Sequence, residues 1–293
     1  MQRLNNILDK ISNKRRELGI KGREDFANDT EWLNYKINQY NKIQGNLDII
    51  DGYNCVDCLN RGYFYFLQGN CETIRDCHCM EVRNSIALMK KSGLENVITK
   101  YTFNKYLTEN DWQKEIKNKA LEYIKDDLPY WWYIGGAVGA GKTHICTAIA
   151  RHFIAKGIAT KYMMWKEEVK QLKSCVNDEQ VYNEKISKIK DVPVLYIDDL
   201  FKPTRDRETG NMLNPTAADI NIAYEIINYR YNQPKLRTII SSELTLWEIV
   251  SIDEATGSRI FEKVCGATGK PKYQINIKKD PSKNYRLRGM LND

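Results

Sequence analysis

The sequence predicts an α/β protein: a three-layer domain on a parallel sheet, preceded by a small cysteine-rich α/β module. Three observations carry that reading. A glycine loop of pattern G-x-x-x-x-G-K-T, Gly136 to Thr143, stands between an aromatic, β-prone stretch, Pro129 to Ile134, and a helical repeat of Ile145, Ala148, Ile149 and Phe153 that ends at Gly157. Downstream, apolar runs of strand length keep alternating with helical ones, which implies parallel strands with helices on both faces. Upstream, five of the eight cysteines crowd between Cys55 and Cys79, a density that asks for a metal.

The first fifty residues are polar and helix-prone, with one short amphipathic stripe at Leu4, Ile7, Leu8 and Ile11 and a second at Trp32, Leu33, Tyr35, Ile37 and Tyr40. Asp51-Gly52 turns the chain into the cysteine segment. Within that segment, Arg61 to Asn70 is aromatic and bounded by glycines, and reads as a hairpin arm. A helix is expected from about Glu81 to Lys91, closed by Gly93, and a charged helical stretch runs from Lys100 to Asp127. The boundary falls near residue 100, giving an N-terminal helical and metal-binding domain, 1–100, and a nucleotide-binding domain, 101–293. In the second domain, strands are expected at Thr160–Met164, Val192–Ile197 and Leu236–Ser241, with helices over Trp165–Lys190 and Thr216–Tyr231.

With 293 residues, 28% charged and a formal net charge of +7, the composition is that of an ordinary soluble protein with a mild basic surplus. Such a surplus permits nucleic-acid contact without requiring it. No run approaches the length needed to span a bilayer and no apolar leader follows a basic start, so a cytoplasmic protein without a membrane partner is expected. In that compartment thiols stay reduced, which turns the cysteine cluster away from disulfides and towards metal.

The loop glycines let successive backbone N–H groups face β- and γ-phosphate oxygens, and the helix that follows adds its positive end. Gly136, Gly139, Ala140, Gly141, Lys142, Thr143 and His144 are therefore the nucleotide-binding candidates. Lys142 supplies charge, and the Thr143 hydroxyl is placed to ligate Mg²⁺. About fifty residues on, Val194 to Asp199 is an apolar strand ending in two carboxylates. In such a site Asp198 orders Mg²⁺ and Asp199 orients or deprotonates the attacking water. Aspartate at the second position is one methylene shorter than the commoner glutamate, which favours slow ATP turnover. The strand Leu236 to Ser242 would point its polar tip between these elements.

The glycine loop, Asp198-Asp199, Ala218-Asp219-Ile220, Ile226 to Tyr231, Thr238 to Ser242, Gly257-Ser258-Arg259-Ile260 and Tyr285-Arg286 together resemble the AAA+ ATPases of the DnaC/DnaI helicase-loader group and the related IstB transposition ATPases. The resemblance spans roughly Cys55 to Arg288. It implies an AAA+ ATPase fold, ATP hydrolysis, self-association through that domain, Arg259 as the arginine finger reaching a neighbouring subunit's nucleotide, and Arg286 as the sensor 2 arginine. Where such proteins commonly carry a sensor 1 asparagine, this chain has Glu243. A carboxylate there would be repelled by the γ-phosphate unless protonated or bridged by metal, and Ser242 is the alternative. The short stretch after Arg286 implies a short or missing α-helical lid.

Cys55-x₂-Cys58 and Cys77-x-Cys79 are eighteen residues apart, close to the spacing of a tetrahedral zinc site. Four thiolates would close the shell and make Zn²⁺ structural, with Cys71 or His78 as alternative ligands. DnaI-type loaders carry a zinc-bearing N-terminal domain that grips a replicative hexameric helicase, and this position is similar. Tyr162, Trp165, Lys166, Lys170 and Lys173 are candidates for single-stranded DNA, as is the group Lys270, Lys272, Lys278, Lys279 and Lys283. The resulting expectation is an ATP-dependent helicase loader. A transposition helper and an adaptor with vestigial hydrolysis are the alternatives.

Overall fold

The computed structural model describes residue 19 and residues 21–90, 100–205, 212–266 and 269–287. The Leu4 to Ile11 stripe, Gly93 and Arg288 lie outside them. The chain divides into two compact units, residues 1–80 and 81–293. Among the described residues no helix is long and apolar enough to cross a membrane.

In the first unit, helix α1 (Asp29–Tyr40) starts where the Asn28 side chain accepts the Glu31 N–H, and it buries Ile37. The short α2 (Leu47–Asp51) stops at Gly52, whose φ of +76° is the left-handed conformation that ends many helices. Strands β1 (Tyr63–Gln68) and β2 (Cys71–Asp76) then form an antiparallel hairpin running from the Tyr63–Asp76 pair to the Gln68–Cys71 pair at the turn. Arg61 ties this hairpin to α1, donating to the carbonyls of Tyr40, Asn41 and Cys58. Helix α3 (Cys79–Met89) begins at the last cysteine of the cluster, and from Glu81 on it belongs to the second unit.

The second unit is built on five parallel strands, β3 (Trp132–Gly136), β4 (Thr160–Met164), β5 (Val194–Asp198), β8 (Arg237–Ser241) and β9 (Gln274–Ile277), in the spatial order β4-β5-β8-β3-β9. A minor antiparallel pair, β6 (Thr204–Arg205) and β7 (Met212–Leu213), stands apart from the sheet. Because side chains alternate along a strand, the sheet has two apolar faces. On one face Trp131, Tyr133, Met163, Leu195, Ile197 and Ile240 pack with residues of α6 (Trp165–Ser174), α7 (Glu179–Lys190), α8 (Ala217–Tyr231), α9 (Leu246–Ile252) and α10 (Glu254–Val264). On the other, α4 (Asp111–Tyr123) and α5 (Lys142–Ala155) bring Tyr123 and Phe153 into a ring cluster with Trp132 and Tyr273. The expected three-layer architecture follows from those two faces.

Two features of this sheet position the site. Strand β8 lies between β3 and β5, so the tip of β8 opens between the glycine loop and the carboxylate pair, as its sequence led us to expect. The expected single helical run from Trp165 to Lys190 is two helices instead. It breaks at Cys175 to Asp178, where the Asp178 carboxylate accepts the Val181 N–H and starts α7 afresh.

Candidate functional site

The glycine loop connects β3 to α5 through backbone that L side chains avoid. Gly136 has φ +102°, and a Cβ there would collide with the Ile277 carbonyl on the neighbouring strand. Lys142, at the first turn of α5, is buried, and its Nζ donates to the carbonyls of Gly136 at 2.9 Å and Ala137 at 2.6 Å. Burial pulls its pKa below the ordinary lysine value, while Glu243, Asp199 and Asp198 pull the other way. His144 rests between Tyr101, stacked at 4.6 Å, and Tyr106, edge-on at 5.2 Å, with Nε2 2.9 Å from the Thr102 carbonyl.

Asp198 ends β5 pointing to the α5 face, and the parallel register decides what meets it there. Tyr196 precedes it by two on the same face, and Tyr162 is the register partner of Tyr196 on β4. Both phenols donate to the Asp198 carboxylate, Tyr162 at 2.9 Å and Tyr196 at 2.8 Å. Ser241, at the tip of β8, donates to it as well, and the Thr143 hydroxyl lies 3.3 Å away. Asp198 itself is buried. Burial and the adjacent carboxylate hold both tyrosines well above the usual phenol range, so they remain donors.

Asp199 turns out of the strand in the left-handed region, φ +59°, an uncommon conformation for a residue with a side chain. The turn is pinned on both sides: the Leu200 N–H donates to the Ser241 carbonyl, and the Ser242 hydroxyl donates to the Leu200 carbonyl. Ser242 is thereby spent on the backbone, so it does not stand in for Glu243 at the tip of β8. Asp199 instead pairs with Lys202 at 2.6 Å, and the same ammonium lies 3.3 Å from Glu243.

These groups meet in one cleft of about 260 Å³, lined by residues 138–144, Asp199, Lys202, Glu243 and Arg286, with Tyr101, Tyr106, Leu107 and Gln113 along another wall. Arg286 is carried there by the C-terminal segment, where the Tyr285 N–H donates to the Gly139 carbonyl. Arg259 does not line the cleft. It lies on α10 against the rings of Tyr224 and Tyr231 and donates to the Asn228 side chain and the Ala255 carbonyl.

Tyr101, Tyr106, Gln113 and Lys202 went unread in the sequence. Lone aromatic, amide and lysine residues in a charged stretch carry no spacing signal, and only the fold gathers them.

The oxygen donors Thr143 and Asp198 fit a Mg²⁺ ion, which favours oxygen ligands. At the cysteine cluster the fit to zinc is metric. Cys55, Cys58, Cys77 and Cys79 are buried with their sulfurs within 4.8 Å of one another. The Cys55–Cys77 and Cys58–Cys79 separations are 3.8 and 3.6 Å, against about 3.8 Å for two thiolates on tetrahedral zinc.

The hairpin explains the pairing. Its open end places Gly62 beside Cys77, with the Cys77 N–H donating to the Gly62 carbonyl at 2.8 Å, and so joins two knuckles remote in sequence. The Gly62 N–H in turn donates to the Cys58 sulfur at 3.2 Å. Burial raises that thiol, yet this bond and the neighbouring thiols outweigh it and bring Cys58 down to about 7. Cys71 is exposed at the opposite end of the hairpin, and His78 faces Asp57 at 3.5 Å from an exposed position, so neither belongs to the buried tetrad.

The nucleic-acid candidates fare unevenly. Tyr162 and Trp165 are buried, the first against Asp198 and the second against the Phe201 ring, so neither offers a face to a base. Lys173 is paired with Asp219, Lys272 with Asp126 and Lys279 with Glu248, whereas Lys166 and Lys170 are exposed on α6.

The chain is 32% identical over 221 residues to the phage-like element PBSX protein XkdC of Bacillus subtilis strain 168, across 72% of this chain and 79% of that protein. It is 33% identical over 199 residues to the uncharacterized protein YqaM of the same strain, across 64% of this chain and 60% of that one. The crystal structure of DnaI superposes with a TM-score of 0.45 at 20% identity, covering 64% of this chain and 92% of that one. Residues 71–268 match the family described as IstB-like ATP binding protein. With that match over more than half its length, the chain belongs to the IstB-like ATP-binding proteins.

Proposed function

We propose that this protein hydrolyses ATP in the cleft around Lys142 and uses the cycle to load a replicative hexameric helicase onto single-stranded DNA. One observation carries the ATPase half: the glycine loop, Asp199 and Arg286 line a single cleft, with the Asp198 carboxylate bonded to Thr143 at its base. In this reading the loop N–H groups and Lys142 hold the phosphates, and Thr143 with Asp198 would hold Mg²⁺, which when bound offsets phosphate charge. Asp199 orients a water whose oxygen attacks the γ-phosphorus. The bond from that phosphorus to the β–γ bridging oxygen breaks, the proton passes to Asp199, and ADP and phosphate remain. Arg286 contacts the bound nucleotide, and Arg259, outside its own cleft, serves a neighbouring subunit's.

The loader half is supported by the buried four-cysteine module upstream of the ATPase, suited to holding a rigid protein-binding element. The family match begins at residue 71 and leaves Cys55 and Cys58 outside it. That same match favours a second reading, a transposition helper acting on duplex DNA.

Pull-down with the cognate hexameric helicase in ATP and in ADP, alongside DNA-stimulated ATP turnover, separates the two. The loader reading expects nucleotide-dependent capture, single-strand stimulation and turnover abolished by Lys142→Ala. Preference for duplex without helicase capture supports the transposition reading. Turnover no faster in wild type than in Asp199→Asn marks a vestigial ATPase.

A further inference from the structure

Glu243 puts a second carboxylate in the cleft that would receive a γ-phosphate, and Asp199 has one oxygen, Oδ2, held in an ion pair. Both anomalies converge on one ammonium group. Lys202 Nζ lies 2.6 Å from Asp199 Oδ2 and 3.3 Å from Glu243 Oε1, and all three side chains line the cleft that Lys142 enters. The segment that carries Lys202 is held, not loose: after Asp199 and Phe201, both left-handed, the Lys202 N–H closes a turn onto the Asp199 carbonyl at 3.0 Å. Such a turn fixes where Nζ can reach.

We propose, resting on the ATPase reading above, that Lys202 is a γ-phosphate contact that restrains Asp199 until ATP arrives. An ammonium group carries one positive charge, which the two carboxylates share in the nucleotide-free cleft. A terminal phosphate carries more negative charge than one carboxylate and offers three acceptor oxygens, so it competes for Nζ against Asp199. When it wins, Asp199 Oδ2 is freed to join Oδ1 in orienting water, while the remaining ion pair with Glu243 keeps Lys202 at the cleft wall. Glu243 is then an anchor for the sensing lysine, and the repulsion expected of a carboxylate beside phosphate is cancelled by the ammonium between them. ADP, lacking the γ-phosphate, leaves the Asp199–Lys202 pair intact. Lys202 is 41% exposed at its side chain, so its truncation is expected to leave the fold unchanged.

The experiment measures Mg·ATP and Mg·ADP dissociation constants by calorimetry for wild type, Lys142→Ala, Lys202→Ala and Lys202→Arg, with kcat at saturating ATP. Loss of a charge-assisted phosphate contact should lower the preference for ATP over ADP by about tenfold in Lys202→Ala, and any fall in kcat should accompany that loss. Lys202→Arg should restore the preference. An unchanged ATP-to-ADP ratio in Lys202→Ala, or a fall in kcat with that ratio intact, overturns the inference. If wild type binds both nucleotides and Lys142→Ala binds neither, that failure is specific to Lys202. If wild type binds no nucleotide, the ATPase reading falls and this inference with it.

Discussion

Asp198 is a carboxylate enclosed by hydroxyls, and its orientation is set by groups that do not line the cleft. Tyr162 and Tyr196 each donate one O–H to it, and Ser241 a third. A hydrogen bond to a charged group contributes about 1.5–3 kcal/mol. Replacing Tyr162 by Phe keeps the ring that fills the α5 face and deletes only that donor, so thermal stability should change little. In the proposed ATPase, turnover should fall by about tenfold, because a misaligned magnesium ligand would cost transition-state stabilisation. Steady-state ATPase rates paired with melting curves read the two effects separately, and an unchanged rate in Tyr162→Phe would show that the remaining hydroxyls suffice. The sequence marks Asp198 through its place after an apolar strand, yet it suggests a DNA-stacking role for Tyr162. Period-two alternation says which residues share a face. It is the parallel register between β4 and β5 that says the shared face is the one bearing the carboxylate.

Among the elements, α8 shows how one buried charge staples several segments. The Arg230 guanidinium is fully buried with no carboxylate among the described residues bonded to it, and burial pushes it down to about 9. Its Nε donates to Thr238 Oγ1, Nη1 to the carbonyls of Lys190 and Val192, and Nη2 to the Arg237 carbonyl. The end of α7, the approach to β5 and the start of β8 are thereby joined through a single side chain. An ammonium group on a flexible stem cannot span those acceptors. With each unpaired buried group costing about 1–3 kcal/mol, Arg230→Lys should lose roughly 3 kcal/mol or more in urea unfolding, and a loss under about 1 kcal/mol would refute the staple.

The strands and helices with long apolar periods, β4, β8 and α8, stand within a residue or two of where the sequence put them. Of those it missed, α10 spans eleven residues and the others are short. Helix α9 is seven residues and β9 is four, with polar Gln274 and Asn276 alternating along an edge. Windows that brief hold too few apolar positions for a period to emerge.

At the scale of the whole molecule, the two compact units hold chemically separate sites, four cysteine sulfurs in one and the glycine-loop cleft in the other. A ligand that binds only the folded state stabilises it by mass action, about 2.7 kcal/mol at a hundredfold excess over Kd. For a unit of residues 81–293 that corresponds to an upward shift of about 5–10 °C with saturating Mg·ATP. Zinc held by the four cysteines would act on the other unit more severely, because a hairpin and two short helices bury little apolar surface and metal bond energy would be folding energy there.

Hydrogen exchange resolves both effects along one chain. Chelation should raise exchange across residues 53–80 while β3, β5 and β8 stay protected, and Mg·ATP should protect residues 136–144 without altering 53–80. Cys79→Ser should reproduce the chelated pattern and lose zinc by elemental analysis, whereas Cys71→Ser should retain both the metal and the protection. Zinc lost equally from both variants would return Cys71 to the ligand set and contradict the hairpin geometry that places it at the far turn.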